Sequence, residues 1–310
     1  MMHVSKFLPL LCCPQSGETL QLKDGQIVNS SEQQCYQMSA SGIPLFGEQV
    51  CSQDARIQQQ HYDVIANAYL QNLTYPHTQE YMDYLDQTLL DASQCVHLGT
   101  VAEICCGRGE AFMLLGEHVE RGVGVDISLS MLERARTTLP NENLLFVQGD
   151  ATQLPLQSEA FDSVFMLGGI HHVRDHKKLF SEVFRILKPG GQFTFRKPLS
   201  DFILWRWLRA IIYRLSPALD HETERPLLYS ETAPLLSDVG FHLSQWRSYG
   251  FLGFCLFMNS DVLVFNRLLR FVPGIRSLTR LVTHFDDWSV RLPGFQSAGL
   301  QVIGRAQKHA

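Results

Sequence analysis

Short apolar, β-branched runs alternate along the middle of the chain with stretches whose apolar residues recur every three or four positions. That rhythm predicts parallel strands joined by helices. Residues 101–105, 122–126, 144–148, 161–167 and 191–196 read as strands of a core sheet. Helices are predicted at 110–118, at 128–139 with Ser128 as the cap, and at 177–187, before the turn Pro189-Gly190-Gly191. Downstream, 230–239 reads as a helix ending at Gly240, 241–246 as a strand and 299–305 as a closing edge strand. Upstream, Ile57, His61, Ile65, Ala68 and Tyr69 keep helical spacing, as do Tyr81, Tyr84, Leu85 and Leu89 after the Tyr75-Pro76 break. Residues 19–28 read as a hairpin turned at Asp24-Gly25.

The chemistry gathers where the first core strand ends, in VAEICCGRG (101–109). Gly107 and Gly109 let the chain turn sharply and let a ligand approach the backbone, and the next helix points its N-terminus at that ligand. No Lys-Ser or Lys-Thr follows, which removes a P-loop, and the spacing is not the GxGxxG of a dinucleotide site. The second strand ends in Asp126, placed to accept the hydroxyls of a ribose. Asp150 follows the third strand, and His171-His172 follow the fourth.

Four segments, EICCGRG, VGVDISLSMLERAR, VQGDATQLPLQSEAFDSVFMLGGIHHV and FSEVFRILKPGGQFTF, resemble in order and spacing the class I S-adenosylmethionine (SAM) dependent methyltransferases. The likeness runs from about Ile57 to Lys197 and is to the small-molecule type, related to ubiquinone and sterol methyltransferases. Glu103-Ile104-Cys105-Cys106 stands where Asp-x-Gly-Cys is usual in the family.

The resemblance implies an α/β fold: a doubly wound, mostly parallel seven-stranded sheet with helices on both faces. A small N-terminal β module precedes it, and a helical cap is inserted near the C-terminus. The expected division is a module at 1–50, a SAM-binding core with lid helices at 51–200 and a helical insertion at 201–229. Core continuation at 230–249, an apolar helical cap at 250–290 and a closing strand and tail at 291–310 complete it. The module resembles the zinc ribbon preceding some methyltransferase domains, but Ser16 occupies the place of the second ligand after Cys13. A structural zinc site wants four soft ligands, so the reading is a ribbon without metal.

By the same resemblance, Glu103 and the amides around Gly107 and Gly109 hold the amino-acid end of SAM. Asp126 takes the ribose, Asp150 the adenine amine, and Ala151, Ile127 and Met131 pack on the ring. Gly168 joins the cofactor set, and Tyr62, with Tyr69, is a candidate for closing the site. Methyl transfer needs an aligned nucleophile and, for a hydroxyl or carbon acid, a base. His172 is the first candidate, with His171 beside it. Asp286, in the Asp286-Asp287-Trp288 segment, is a further catalytic candidate for gripping a substrate, and His221 is a weaker one. Grouping His171, His172, Asp175 and His176 around a metal is set aside, since adjacent residues rarely point at one ion.

Composition narrows the partner. A net charge of −5 over 310 residues gives no general field for nucleic acid. The large aromatic and aliphatic cap from Phe202 to Phe285, surplus to a cofactor domain, points to an apolar or amphipathic small molecule as acceptor. Arg206, Arg209, Arg214, Arg267, Arg270, Arg276 and Arg280 leave contact with a membrane surface open, and the cap equally suits a homodimer face. Two alternatives stand beside a small-molecule methyltransferase: a ribosomal-RNA guanine methyltransferase-like enzyme and a non-catalytic SAM-binding partner protein. Eight cysteines in a chain this long make no disulfide scaffold, and the FLPLLCC stretch is too short to cross a bilayer, so a cytoplasmic location is expected.

Overall fold

A computed structural model describes residues 2–60, 72–93, 97–207, 226–258 and 264–309. Strands β4 (Gly99–Ile104), β5 (Val119–Asp126), β6 (Leu144–Gln148), β7 (Phe161–Met166) and β8 (Leu187–Pro198) run parallel. With β9 (Phe241–Tyr249) and β10 (Gln301–Lys308) they form a seven-stranded sheet in the order β6-β5-β4-β7-β8-β10-β9. β10 is antiparallel to both of its neighbours. The expected doubly wound α/β sheet is therefore present, and β10 lies between β8 and β9 instead of at the edge predicted for it.

The turn predicted at Pro189-Gly190-Gly191 is absorbed into β8. Phe161 faces Leu187, but Ser163 faces Gln192, so the Lys188–Gly191 stretch bulges out of the ladder, and Gly190 at φ 78° supplies the bend. Val123, Val125, Val164, Phe193 and Phe195 bury one face of the sheet against α4 (His176–Ile186) and α5 (Tyr229–Val239). Val101, Phe165, Tyr249 and Ile303 bury the other face against α1 (Pro76–Ser93) and α2 (Glu110–Leu115). α3 (Leu129–Thr138) starts as predicted, with the Ser128 hydroxyl accepting the Met131 N–H.

The amino-terminal strands β1 (Leu20–Lys23), β2 (Gln26–Asn29) and β3 (Cys35–Tyr36) form an antiparallel sheet. Its predicted hairpin turns through Asp24 and Gly25, both at positive φ. Phe7, Leu11, Cys13, Tyr36 and Phe46 enter the same core as β5 and β8. The Phe46 N–H donates to the Gln148 carbonyl at 3.0 Å, tying the module to the end of β6. Cys13 Sγ lies 3.1 Å from Tyr36 Oη, and the Cys12 thiol donates to the Leu156 carbonyl. Among the described residues no group of three or more His, Cys, Asp or Glu side chains is placed to hold a metal.

The apolar segment expected to cover the active site sits elsewhere. α6 (Leu252–Met258), a 3-10 helix at Val264–Phe271 and α7 (Ile275–Ser289) pack on α1, with Phe257 and Ile275 buried beside Tyr81 and Leu85. Asp286 joins these helices. It accepts the Tyr81 hydroxyl at 2.7 Å and the Gly253 N–H at 2.9 Å, and burial raises its carboxyl pKa. Asp286→Ala would strand two buried donors at once and is expected to lower unfolding free energy by about 3 kcal/mol, read from urea melts. Among the described residues no helix is long and apolar enough to cross a membrane.

Candidate active site

The strand order reverses between β4 and β7, and a cleft opens beyond the carboxyl ends of the strands there, where open α/β sheets bind ligands. The cleft spans about 1030 Å³, part of it open solvent.

Glu103 is buried at the end of β4, and one of its oxygens accepts the Ala111 N–H at 2.8 Å. The other oxygen, Oε2, has no partner among the described residues, although Glu103 lines the cleft. Burial drives its pKa well above the carboxylate range, with the Ala111 N–H opposing. Such a group accepts a cationic donor readily, because an ammonium would replace the hydration that burial removed.

Gly107, at φ 51°, carries the chain past the cleft, and its N–H donates to Asp126 Oδ2 at 2.8 Å. Asp126 Oδ1 accepts the Ser128 N–H at 2.9 Å, so one carboxylate at the end of β5 fixes both the glycine loop and the start of α3. Gly109, at φ 82°, is the residue before α2 and is not part of the lining; a Cβ there would meet Leu139 at 2.8 Å. Its role in the loop is conformational.

Asp126, Ile127, Met131, Asp150, Ala151 and Gly168 all line the cleft, as their positions after successive strands predict. Asp150 does more than the sequence shows. Oδ1 accepts the N–H and hydroxyl of Thr152, and Oδ2 accepts the Ser52 N–H at 2.7 Å. The Ser52 bond brings the helical residues 53–60 to the cleft, where Ala55 and Gln58 line it. Asp54 pairs with Arg174 at 3.3 Å, fastening the same segment to the loop after β7. Tyr62, Tyr69 and His221 lie outside the described residues.

His172 is buried and lines the cleft. His171 packs its ring on His172, with centroids 3.9 Å apart, and is not in the lining. Asp286 is not in the lining: it is held between α1, α6 and α7, and the cleft takes no lining residue from 202–290 among the described residues. Sequence reasoning missed Ser52, Gln58 and Glu110 in the lining, while Cys105 lines it as a side chain near the cofactor loop. For Cys105 the unusual residue at a glycine place was the available signal: it adopts φ 52° and packs on Gly169.

The residues present fit SAM. An unpaired buried carboxylate suits its ammonium, a carboxylate at the end of β5 suits a diol, and Ile127, Met131 and Ala151 offer an apolar bed for a base.

Comparison with known proteins agrees with this geometry. The family model described as "Methyltransferase domain" matches residues 102–195. An uncharacterized methyltransferase of Synechocystis is 33% identical over 154 residues, covering 48% of this chain and 69% of that protein. A demethylmenaquinone methyltransferase of Lactococcus lactis is 36% identical over 99 residues, which are 30% of this chain and 39% of the relative. This chain thus spans about two fifths of that relative's length. Among solved structures, the [4+2]-cyclase SpnF superposes with a TM-score of 0.60 at 14% identity, covering 84% of this chain and 98% of its own, a likeness of fold alone. The chain belongs to the class I SAM-dependent methyltransferases. Within that class it is related to the small-molecule branch that includes the demethylmenaquinone methyltransferases.

Proposed function

We propose that this protein transfers a methyl group from SAM to an apolar small molecule, with a quinol of the demethylmenaquinone type as the first acceptor to try. The observation that carries the reading is the cleft itself, where an unpaired buried Glu103 oxygen, Asp126 and Asp150 stand around an apolar bed. SAM supplies a methyl group already activated on a sulfonium. The protein's task is then to hold SAM through Glu103, Asp126 and Asp150, admit the acceptor near Gly168 and His172, and keep water out.

The acceptor is read as apolar from the relatives, whereas the exposed surface bears on the protein's neighbours. Leu278, Leu281, Phe285 and Trp288 form an exposed stripe along α7 beside exposed Leu268 and Phe271. Arg270 lies over the Tyr75 and Phe271 rings, and Arg276 and Arg280 pair with Glu80, so these cations are engaged within the fold and not free for phosphates. That favours a membrane surface or a second copy over RNA as the neighbour of this stripe, in a protein working in the cytoplasm. The amino-terminal sheet serves as a metal-free ribbon bracing the end of β6.

The test is transfer of labelled methyl from SAM, followed by separation into organic and RNA fractions. Label in the organic phase with reduced 2-polyprenyl-1,4-naphthoquinone as acceptor is the expected result, together with SAM binding weakened at least about tenfold in Asp126→Ala. No SAM binding by wild type at millimolar concentration, or label only in RNA, overturns the reading.

A further inference from the structure

We propose that Lys197 is the base that takes the acceptor's proton during methyl transfer, a role that rests on the methyltransferase reading above. Lys197 is the next-to-last residue of β8, the strand beside β7 at the mouth of the cleft. It is 1% exposed, and the groups that act on its amine are Cys105, Glu110 and Arg196. A Cβ built on Gly168 would stand 4.0 Å from that Nζ and 3.4 Å from the Cys105 carbonyl. Gly168 and Cys105 line the cleft and Lys197 does not, so the amine stands behind the wall at Gly168, the point where the lining contributes no side chain.

The surroundings bring the ionisation of this amine down into the neutral range, so a neutral fraction is present near pH 7. Burial is the largest influence and lowers its pKa to about 7. Cys105 from the end of β4 and Glu110 from α2 oppose that fall, and Arg196 on β8 itself adds to it. Burial raises the Cys105 thiol, which supplies no anion, and Glu110 is shared with Arg108 and Arg196, each at 3.6 Å. A neutral amine behind a glycine window differs in kind from a structural lysine, which would be fixed by a carboxylate or reach solvent.

In the transfer, the acceptor's electron pair forms the bond to the methyl carbon, the carbon–sulfur pair leaves with sulfur, and the acceptor's proton passes to Nζ. The resulting ammonium returns that proton to solvent after product release. His172 lines the same cleft and is the competing base.

The test uses the full chain with labelled SAM and reduced 2-polyprenyl-1,4-naphthoquinone or an organic extract of cells as acceptor. Lys197→Met and Lys197→Arg are each expected to lower kcat at least about 100-fold with SAM Kd within about twofold of wild type. Arginine is permanently charged and cannot serve as base at neutral pH. The acid limb of the wild-type kcat/KM profile should vanish in both variants and persist in His172→Asn. Unfolding free energy against pH gives a readout free of turnover: wild type should rise between pH 7 and 10 relative to Lys197→Met. Full activity in Lys197→Arg, SAM binding weakened tenfold in Lys197→Met, an unchanged acid limb, or parallel stability curves would each overturn the assignment. Wild type that transfers label to neither acceptor overturns the methyltransferase reading itself, and the Lys197 role with it.

Discussion

Glu103→Gln is expected to weaken SAM binding by roughly tenfold to a hundredfold and to abolish a proton release that accompanies binding in the wild type. In the free chain burial raises the Glu103 pKa well above the usual carboxylate range. An ammonium placed at Oε2 stabilises the charged form, so binding lowers that pKa again and expels the proton. Affinity should then grow as pH rises through the interval between the bound and free pKa values, and flatten above it. Glutamine is close in shape and keeps an acceptor for the Ala111 N–H, but it carries neither the charge nor the proton. Calorimetry of SAM binding in two buffers of different ionisation heat reads the release directly. Equal affinities for the two chains, or binding by wild type without proton release, would mean that Glu103 does not meet the cofactor's ammonium.

The second large effect concerns stability. Lys197→Met should make the chain more stable than wild type at pH 7, by an amount on the order of 4 kcal/mol. The folded lysine has its pKa depressed from 10.5 to about 7, so between those values the unfolded chain binds more protons and wild-type stability rises with pH. Below about pH 7 the burial cost is present in full; above 10.5 both states are neutral and it disappears. Methionine removes the cost at every pH and fills a similar volume, so the gap between the two chains should close as pH climbs from 7 towards 10. Urea melts across that interval measure it. A variant no more stable than wild type would show that Lys197 is solvated or paired in the folded protein. A residue whose replacement stabilises the fold yet slows turnover is the pattern of an active-site group kept at a cost in stability.

Much of this architecture is written locally. The strands β4 to β7 were readable because each is a short apolar run bounded by turn residues. Asp126 and Asp150 were readable because a parallel sheet presents strand ends to its ligand in sequence order. The lid contact was harder to see, since Asp150 holds Ser52 through a backbone N–H, which any residue at 52 would offer. Asp286 misled for the opposite reason: a carboxylate among apolar residues suggests a ligand grip, but its partners Tyr81 and Gly253 are distant in sequence and satisfy it as structure. Lys197 reads in sequence as a charged residue before a proline at a strand end, ordinarily a solvent position, and only the packing around Gly168 and Cys105 shows it enclosed. The apolar 250–290 segment announced burial but not its direction, and it is spent on α1 instead of the cleft.

The place of β10 in the sheet also fixes an order of events. β9 hydrogen-bonds to the rest of the sheet only through β10, yet residues 250–300 separate the two in the chain. While the polypeptide emerges from the ribosome, β4 to β8 can assemble in sequence and the helices after β9 can settle on α1, but β9 has no strand to pair with until residues 301–308 enter the gap. Gly304, where a Cβ would meet the Phe195 ring at 2.0 Å, lets that last strand slide against β8, so assembly of the whole outer edge hinges on one residue without a side chain.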